Sequence, residues 1–144
     1  MKRKYSLDFK LLKMENQGSH PVSKIFINDV EAYFVIDTGA SHTVLDSNRL
    51  SRFSDKPKLE KQDALSTGLG TNEMQSSVTQ LKTIRLGELT LHRRKVAVLD
   101  LSHINQTYRM LGLKEIDGVL GCDLLHKLKA DIRFSSRKIF FYLK

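Results

Sequence analysis

Phe34-Val35-Ile36-Asp37-Thr38-Gly39-Ala40-Ser41 is the stretch that decides the reading of this chain. Three apolar residues deliver an aspartate, and a threonine, a glycine and two small residues follow at once. A carboxylate at the end of a buried strand is costly unless something hydrogen-bonds it. The Thr38 hydroxyl and the backbone N–H groups of the turn are the natural donors. Gly39 lets the backbone approach closely. Taken alone, Asp-Thr-Gly also fits an ordinary β-turn. The apolar approach strand marks it as a candidate site.

Outward from this stretch the pattern is mostly strand-like. Ile25 and Ile27 alternate with Phe26 and Asn28, Asn28-Asp29 suits a tight turn, and Val30 to Ile36 resumes in β-branched and aromatic residues, which reads as a hairpin. Thr43-Val44-Leu45 reads as a short strand, with Asp46 or Ser47 capping a short helix through Phe53. Lys56 to Gln62 is polar and predicted to be exposed. Ser66 to Thr71, with Gly68 and Gly70, suits a hairpin tip. Val78 to Leu86 and Leu89 to Leu101 are strand candidates around Gly87-Glu88. Ser102 is placed to cap a helix from about His103 to Leu111. Ile116 to Leu120 reads as a strand broken by Gly118. Leu124, Leu125 and Leu128 then share a helical face, and Ala130 to Phe134 with Lys138 to Leu143 reads as a last hairpin.

The segment Ile116-Asp117-Gly118-Val119-Leu120-Gly121 joins the first stretch to a known pattern. The apolar-apolar-Asp-Thr-Gly-Ala-Ser run resembles the catalytic motif of aspartic peptidases. Val119-Leu120-Gly121 resembles the segment that passes beside the catalytic loop in that family. Gly121-Cys122-Asp123-Leu124-Leu125, then Ala130-Asp131-Ile132 and a final hairpin, resemble the retroviral-type branch. Order and spacing match from about Val22 to Leu143, so the chain resembles the retropepsin-like (retroviral-type, clan AA) aspartic proteases. That implies a mostly β fold: a closed barrel of short strands with two or three short helices, one lobe per chain. Residues 21–144 would form this single domain, and residues 1–20 would be an N-terminal segment of unknown role. Competing phosphate-transfer readings fail. Haloacid dehalogenases need a second Asp where Gly39 stands, and actin-like ATPases need Asp-x-Gly-Thr in a far longer chain.

The chain carries one Asp-Thr-Gly, because Asp117-Gly118 lacks the residue between. A peptidase of this type needs two carboxylates sharing a proton, since like charges that close cannot both ionise. The second must then come from another chain, which predicts a homodimer with Asp37 of each subunit on the two-fold axis. The resemblance implies that Thr38 braces the two loops across the dimer and that Gly39 offers its carbonyl to an extended peptide substrate. It implies further that Ala40 and Ser41 line or support the loop and that Val119 and Leu120 wall the pocket. Gly68, Leu69 and Gly70 are the flap candidate. Serine stands at 41 where viral enzymes often have aspartate. Cys122 follows Gly121 where they carry arginine. Viral enzymes also build part of their dimer sheet from both termini, for which Ile139 to Leu143 is a suitable strand.

Composition bounds the alternatives. The chain has 144 residues, 24 Lys plus Arg against 16 Asp plus Glu, and a net charge of +8. That length fits one domain. Cys122 is the one cysteine, so neither an intrachain disulfide nor a Cys-rich zinc site is possible. The longest apolar runs, Ala32 to Ile36 and Ile139 to Leu143, fall far short of the ~20 residues of a membrane helix. No signal peptide pattern follows Met1-Lys2-Arg3-Lys4, so a cytoplasmic location without membrane attachment is expected. His20, His42, His92, His103 and His126 show no ligand spacing, and no metal or other cofactor is expected. The basic clusters lack interleaved aromatics, so nucleic acid is disfavoured as a partner. The function expected is an aspartic endopeptidase. The competitors are a catalytically silent peptide-binding or regulatory module on the same fold and, behind it, a basic nucleic-acid-binding β-domain.

Overall fold

The computed structural model describes residues 3–14, 18–55, 57–62 and 76–143. In chain order these form β1 (Arg3–Asp8), β2 (Lys10–Met14), β3 (Gly18–Ile27), β4 (Val30–Ile36) and β5 (Val44–Asp46). A 3-10 helix (Ser47–Arg52), β6 (Glu60–Gln62), β7 (Ser76–Leu86) and β8 (Leu89–Leu99) come next. Then follow α1 (Ser102–Met110), β9 (Gly118–Leu120), α2 (Cys122–Lys127), β10 (Asp131–Arg133) and β11 (Lys138–Leu143).

Turn chemistry sets the first hairpin. Asn28 and Asp29 have φ of 49° and 66°, the left-handed pair that a two-residue turn between twisted strands requires. The Asn28 side chain then ties the hairpin tip to β7, accepting from the N–H groups of Lys82 (2.8 Å) and Thr83 (3.1 Å). β7 and β8 turn at Gly87, where φ is +62° and a Cβ would lie 2.2 Å from the Ser6 carbonyl oxygen. Only glycine fits there.

Six strands close a barrel in the order β3-β4-β9-β5-β8-β7, sealed by β7 pairing back onto β3 (Phe26 with Arg85, Ile27 with Ile84). β2 extends the sheet beside β3, and β6 beside β7. Alternation sends Ala32, Phe34 and Ile36 inward with Ile25, Ile27, Leu45, Leu81, Val96 and Leu120. The opposite set, Val22, Val35, Val44 and Ala97, packs outside the barrel with Met14, Leu101, Tyr108 and Ile116. Period-two alternation on a two-sided sheet explains why so many of these strands look continuously apolar.

The feature that positions the site is topological. β4 and β5 are consecutive in the chain, yet β9 lies between them, parallel to β4 and antiparallel to β5. Residues 37–43 must therefore arch over the end of β9. Gly118 makes the insertion possible: a Cβ there would meet the Val44 carbonyl oxygen at 2.3 Å and the Phe34 ring at 2.5 Å.

Two expectations are corrected. Ser102 does not cap α1. The N-cap is Leu101, without a side-chain bond, and the Asp100 carboxylate accepts from the Ser102 N–H at 2.9 Å instead. Hydrogen bonds from Ser102, and then Asn48, hold the Asp100 carboxyl below the usual range. Second, Ile139 to Leu143 is a strand but not an edge. β11 is the centre of a three-stranded sheet, β1-β11-β10, with the N-terminal strand on one side. Its apolar residues Ile139 and Phe141 are fully buried, and β1 pairs along its whole length while β10 pairs with Lys138 to Phe140. Asp46 caps the 3-10 helix as expected, accepting from the Asn48 N–H at 3.1 Å. No helix among the described residues is long and apolar enough to cross a membrane.

Candidate active site

Asp37 lies one residue beyond β4. Its N–H donates to the Leu120 carbonyl at 3.0 Å, which extends the β4–β9 ladder by one step. The chain then folds back on itself: the Gly39 N–H donates to Asp37 Oδ1 at 2.8 Å, and the Ala40 N–H to the Asp37 carbonyl at 3.1 Å. The carboxylate is thus held by its own turn while Asp37, Thr38 and Gly39 stay exposed. A side chain at 39 would come within 3.2 Å of Asp37 Oδ1.

The start of α2 clamps the far side of the loop. The Cys122 N–H donates to the Ala40 carbonyl at 2.7 Å, and the Cys122 thiol to the Thr38 carbonyl at 2.9 Å. Buried Thr43 accepts from the Gly121 N–H at 3.1 Å and donates its hydroxyl to Asp123 Oδ1 at 2.7 Å. The same Asp123 oxygen accepts from the Thr43 N–H at 2.9 Å. At roughly 1 kcal/mol per bond, more where the acceptor is charged, this clamp is stiff relative to the loop's own turn. Gly121 is obligatory within it, since a Cβ would stand 2.5 Å from the His42 carbonyl.

Asp37 and Thr38 open onto a cleft of about 320 Å³ walled by His20, Pro21, Val35, Ile36, Ile132 and Phe134. Among the described residues Asp37 is the only carboxylate lining it. A larger cleft, about 690 Å³, lies between β1, β3 and β4. Its carboxylates, Asp8 and Glu31, are paired at the surface with Lys138 (2.6 Å) and Lys24 (3.4 Å).

The remaining predicted site residues separate into groups. Ala40 and Ser41 complete the loop, Ala40 half-buried and Ser41 exposed, with the Ser41 hydroxyl 2.9 Å from His42 Nδ1. Val119 is half-buried on the outer face of β9 beside Val35 and Val44. Leu120 requires a correction. Its side chain is 0% exposed and points into the barrel interior, so it contributes its carbonyl to the loop and no wall to the pocket. Gly68, Leu69 and Gly70 lie outside the described residues. The strands that flank them, β6 and β7, pair with Gln62 opposite Ser76.

Asp117 is a structural carboxylate. It accepts from the Tyr33 N–H at 2.8 Å and from Arg52 at 2.5 Å, with Arg49 at 3.5 Å, and is 4% exposed. The sequence reading missed His20 and Tyr108, whose side chains meet at 3.0 Å. They are separated by 88 positions, and no local spacing could signal the pair.

A family model described as aspartyl protease matches residues 23–124. The chain belongs to the aspartyl protease family. Solved structures are similar to it over 79% to 99% of its length. A retropepsin-like aspartic protease from Rickettsia conorii shares 20% identity at a TM-score of 0.56, over 99% of this chain and 92% of that one. EIAV protease, complexed with the inhibitor HBY-793, shares 21% at 0.59, over 85% of this chain and 100% of that one. The retroviral protease-like domain of Ddi1 from Leishmania major shares 13% at 0.52, over 79% and 81%. No curated protein matches the chain. At these identities the likeness is one of fold, and the fold of this aspartyl protease family member is retropepsin-like.

Proposed function

We propose that this protein is an aspartic endopeptidase whose active site is completed by a homodimer, with one Asp37 from each chain. The observation that carries the reading is the single exposed carboxylate of an Asp-Thr-Gly turn, alone in its cleft among the described residues. Half of a two-carboxylate site supports a partner that supplies the other half.

In this reading the two Asp37 carboxyls share one proton. The ionised member takes a proton from a water as that water attacks the scissile carbonyl. The neutral member donates its proton to the carbonyl oxygen, and the tetrahedral intermediate then collapses with proton transfer to the leaving amine. Thr38 braces the loop across the dimer. Gly39 presents its carbonyl to an extended peptide, Ala40 and Ser41 support the loop, and Val119 contributes the apolar wall. Gly68, Leu69 and Gly70, between paired β6 and β7, serve as the flap. Residues 21–144 are the catalytic domain, and residues 1–20 act as scaffold through β1 and β2, which pair with β11 and β3. The lone thiol of Cys122 suits a reducing compartment, and we place the protein in the cytoplasm.

The test is a mixed-peptide cleavage screen between about pH 4 and pH 7 with wild type and Asp37→Asn, the range in which a shared-proton dyad works. Cleavage by wild type alone is expected. Cleavage by both refutes the role of Asp37. Cleavage by neither favours a silent peptide-binding module on the same fold.

A further inference from the structure

The sheet β1-β11-β10 has two outer edges, and they are not equivalent. The β1 edge is covered. Its Ser6 carbonyl lies against Gly87, and its Asp8 carbonyl accepts from the Ser23 hydroxyl at 2.6 Å. The β10 edge is open: among the described residues β10 pairs with β11 alone. It is also the edge beside the site, because Ile132 of β10 and Phe134 just beyond it line the cleft that holds Asp37 and Thr38. Phe134 stays 55% exposed, although the Phe9 ring meets it edge-on at 5.4 Å. An open edge strand with an exposed apolar neighbour is a template for pairing with another chain. The charges on this edge alternate in sign. Asp131 and Arg133 flank Ile132, project from the same face of the strand, and are 45% and 48% exposed.

We infer that β10 is the strand through which two copies of this chain join, edge to edge about a two-fold axis beside Ile132. This deepens the peptidase reading and rests on its need for a second Asp37. Two identical edges related by a two-fold axis run antiparallel. With Ile132 opposite Ile132, Asp131 of each copy faces Arg133 of the other, so the edge is complementary in charge to itself. An edge carrying one sign of charge at both positions would repel its own copy there. The axis passes beside the cleft walled by Ile132 and Phe134. The pairing that joins the two sheets therefore also brings the two Asp37 clefts together and covers Phe134. The apolar strand β11 then supports the seam from behind and does not form it, because β1 pairs along its whole length.

The experiment reverses the two charges one at a time. Asp131→Arg and Arg133→Asp each set like charges opposite one another in a homodimer. An equal mixture of the two variants restores opposite charges in the mixed dimer. Both positions are about half exposed, so the fold is expected to hold, which far-UV circular dichroism checks. The readouts are the dimer Kd by analytical ultracentrifugation and peptide cleavage per chain at dilute concentration. Each variant alone is expected to raise Kd by about tenfold or more, the scale of like charges set against each other in an interface, and to lose cleavage in step. The mixture is expected to recover both. If a charge variant does not fold, Phe134→Ser reads the same face, with the same loosening expected. Folded variants that dimerise as tightly as wild type, or a mixture that recovers nothing, overturn this inference alone and leave a shared Asp37 site to another interface. A wild type that stays monomeric at every concentration overturns the two-chain reading, and this inference with it.

Discussion

Asp37 and Asp117 stand at opposite ends of the same parallel strand pair, and their surroundings differ in nearly every respect. Asp37 follows β4 and bonds across to the Leu120 carbonyl; Asp117 precedes β9 and bonds across to the Tyr33 carbonyl at 2.8 Å. Each is near a glycine, Gly39 or Gly118. Asp37 is exposed, and its carboxylate accepts from a turn N–H of its own loop. Asp117 is buried under Tyr33, Arg49 and Arg52, with Glu115 bridging onward from Arg49 to Arg109. Arg49 and Arg52 compensate the buried Asp117 carboxylate, whose oxygens are taken up by contacts within the fold. Asp37 is left exposed on a loop whose frame is clamped from behind by Thr43, Cys122 and Asp123, so it meets solvent while its position stays set. The lesson is that an Asp-Gly pair on a strand says nothing about catalysis until the solvent side of the carboxylate is known.

The sharpest way to break the contrast is at the glycines. Gly118→Ala places a methyl 2.3 Å from the Val44 carbonyl and 2.5 Å from the Phe34 ring. It is expected to cost about 4 kcal/mol or more in urea denaturation, the range of severe core strain. Asp117→Ala comes next. It orphans the Tyr33 N–H and takes the carboxylate from Arg52, but Arg52 is 47% exposed and can turn to water, and Arg49 keeps Glu115 and Asp46. About 2–3 kcal/mol is expected by the same measurement, with peptidase activity falling only as the folded fraction falls.

A smaller effect follows from Tyr108. Its phenol is raised above the ordinary value of 10.0 by burial. The folded state therefore binds its proton more tightly than the unfolded chain. The corresponding stability is fully present below pH 10, and is lost as pH climbs through the folded-state value. Tyr108→Phe is expected to flatten the alkaline fall of the melting temperature. An unchanged slope between wild type and variant would place the phenol outside the core.

Much of this contrast was legible in the residues themselves. Val30 to Ile36 and the Asn28-Asp29 turn announce a hairpin because both signals are local, and the apolar run ending in Asp-Thr-Gly announces a strand that ends in a tight turn. The place of Val119-Leu120-Gly121 beside the Asp37 loop followed from order along the chain. What stayed hidden depends on partners far away in sequence. Arg3 to Asp8 forms a strand only because β11, some 130 residues later, offers an edge to its alternating pattern. The inward turn of Leu120 depends on register with β4, and a one-residue slip would have reversed it. The burial of Asp117 depends on Arg49 and Arg52, which sit on a 3-10 helix with no sequence link to it. Ser102 looked like a cap by residue type, but Asp100 two positions earlier had the reach.

The most direct test of the central claim is subunit mixing. Asp37→Asn keeps an oxygen for the Gly39 N–H, and its stability should stay within about 0.5 kcal/mol of wild type, as for an exposed site. A fixed amount of wild-type chain is incubated with a rising excess of Asp37→Asn, and peptide cleavage is followed. If the site needs Asp37 from both chains, mixed dimers are dead and activity per wild-type chain falls steeply with the excess. Activity per wild-type chain that stays constant while the two chains demonstrably exchange, or cleavage by Asp37→Asn alone, would contradict a site shared between two copies.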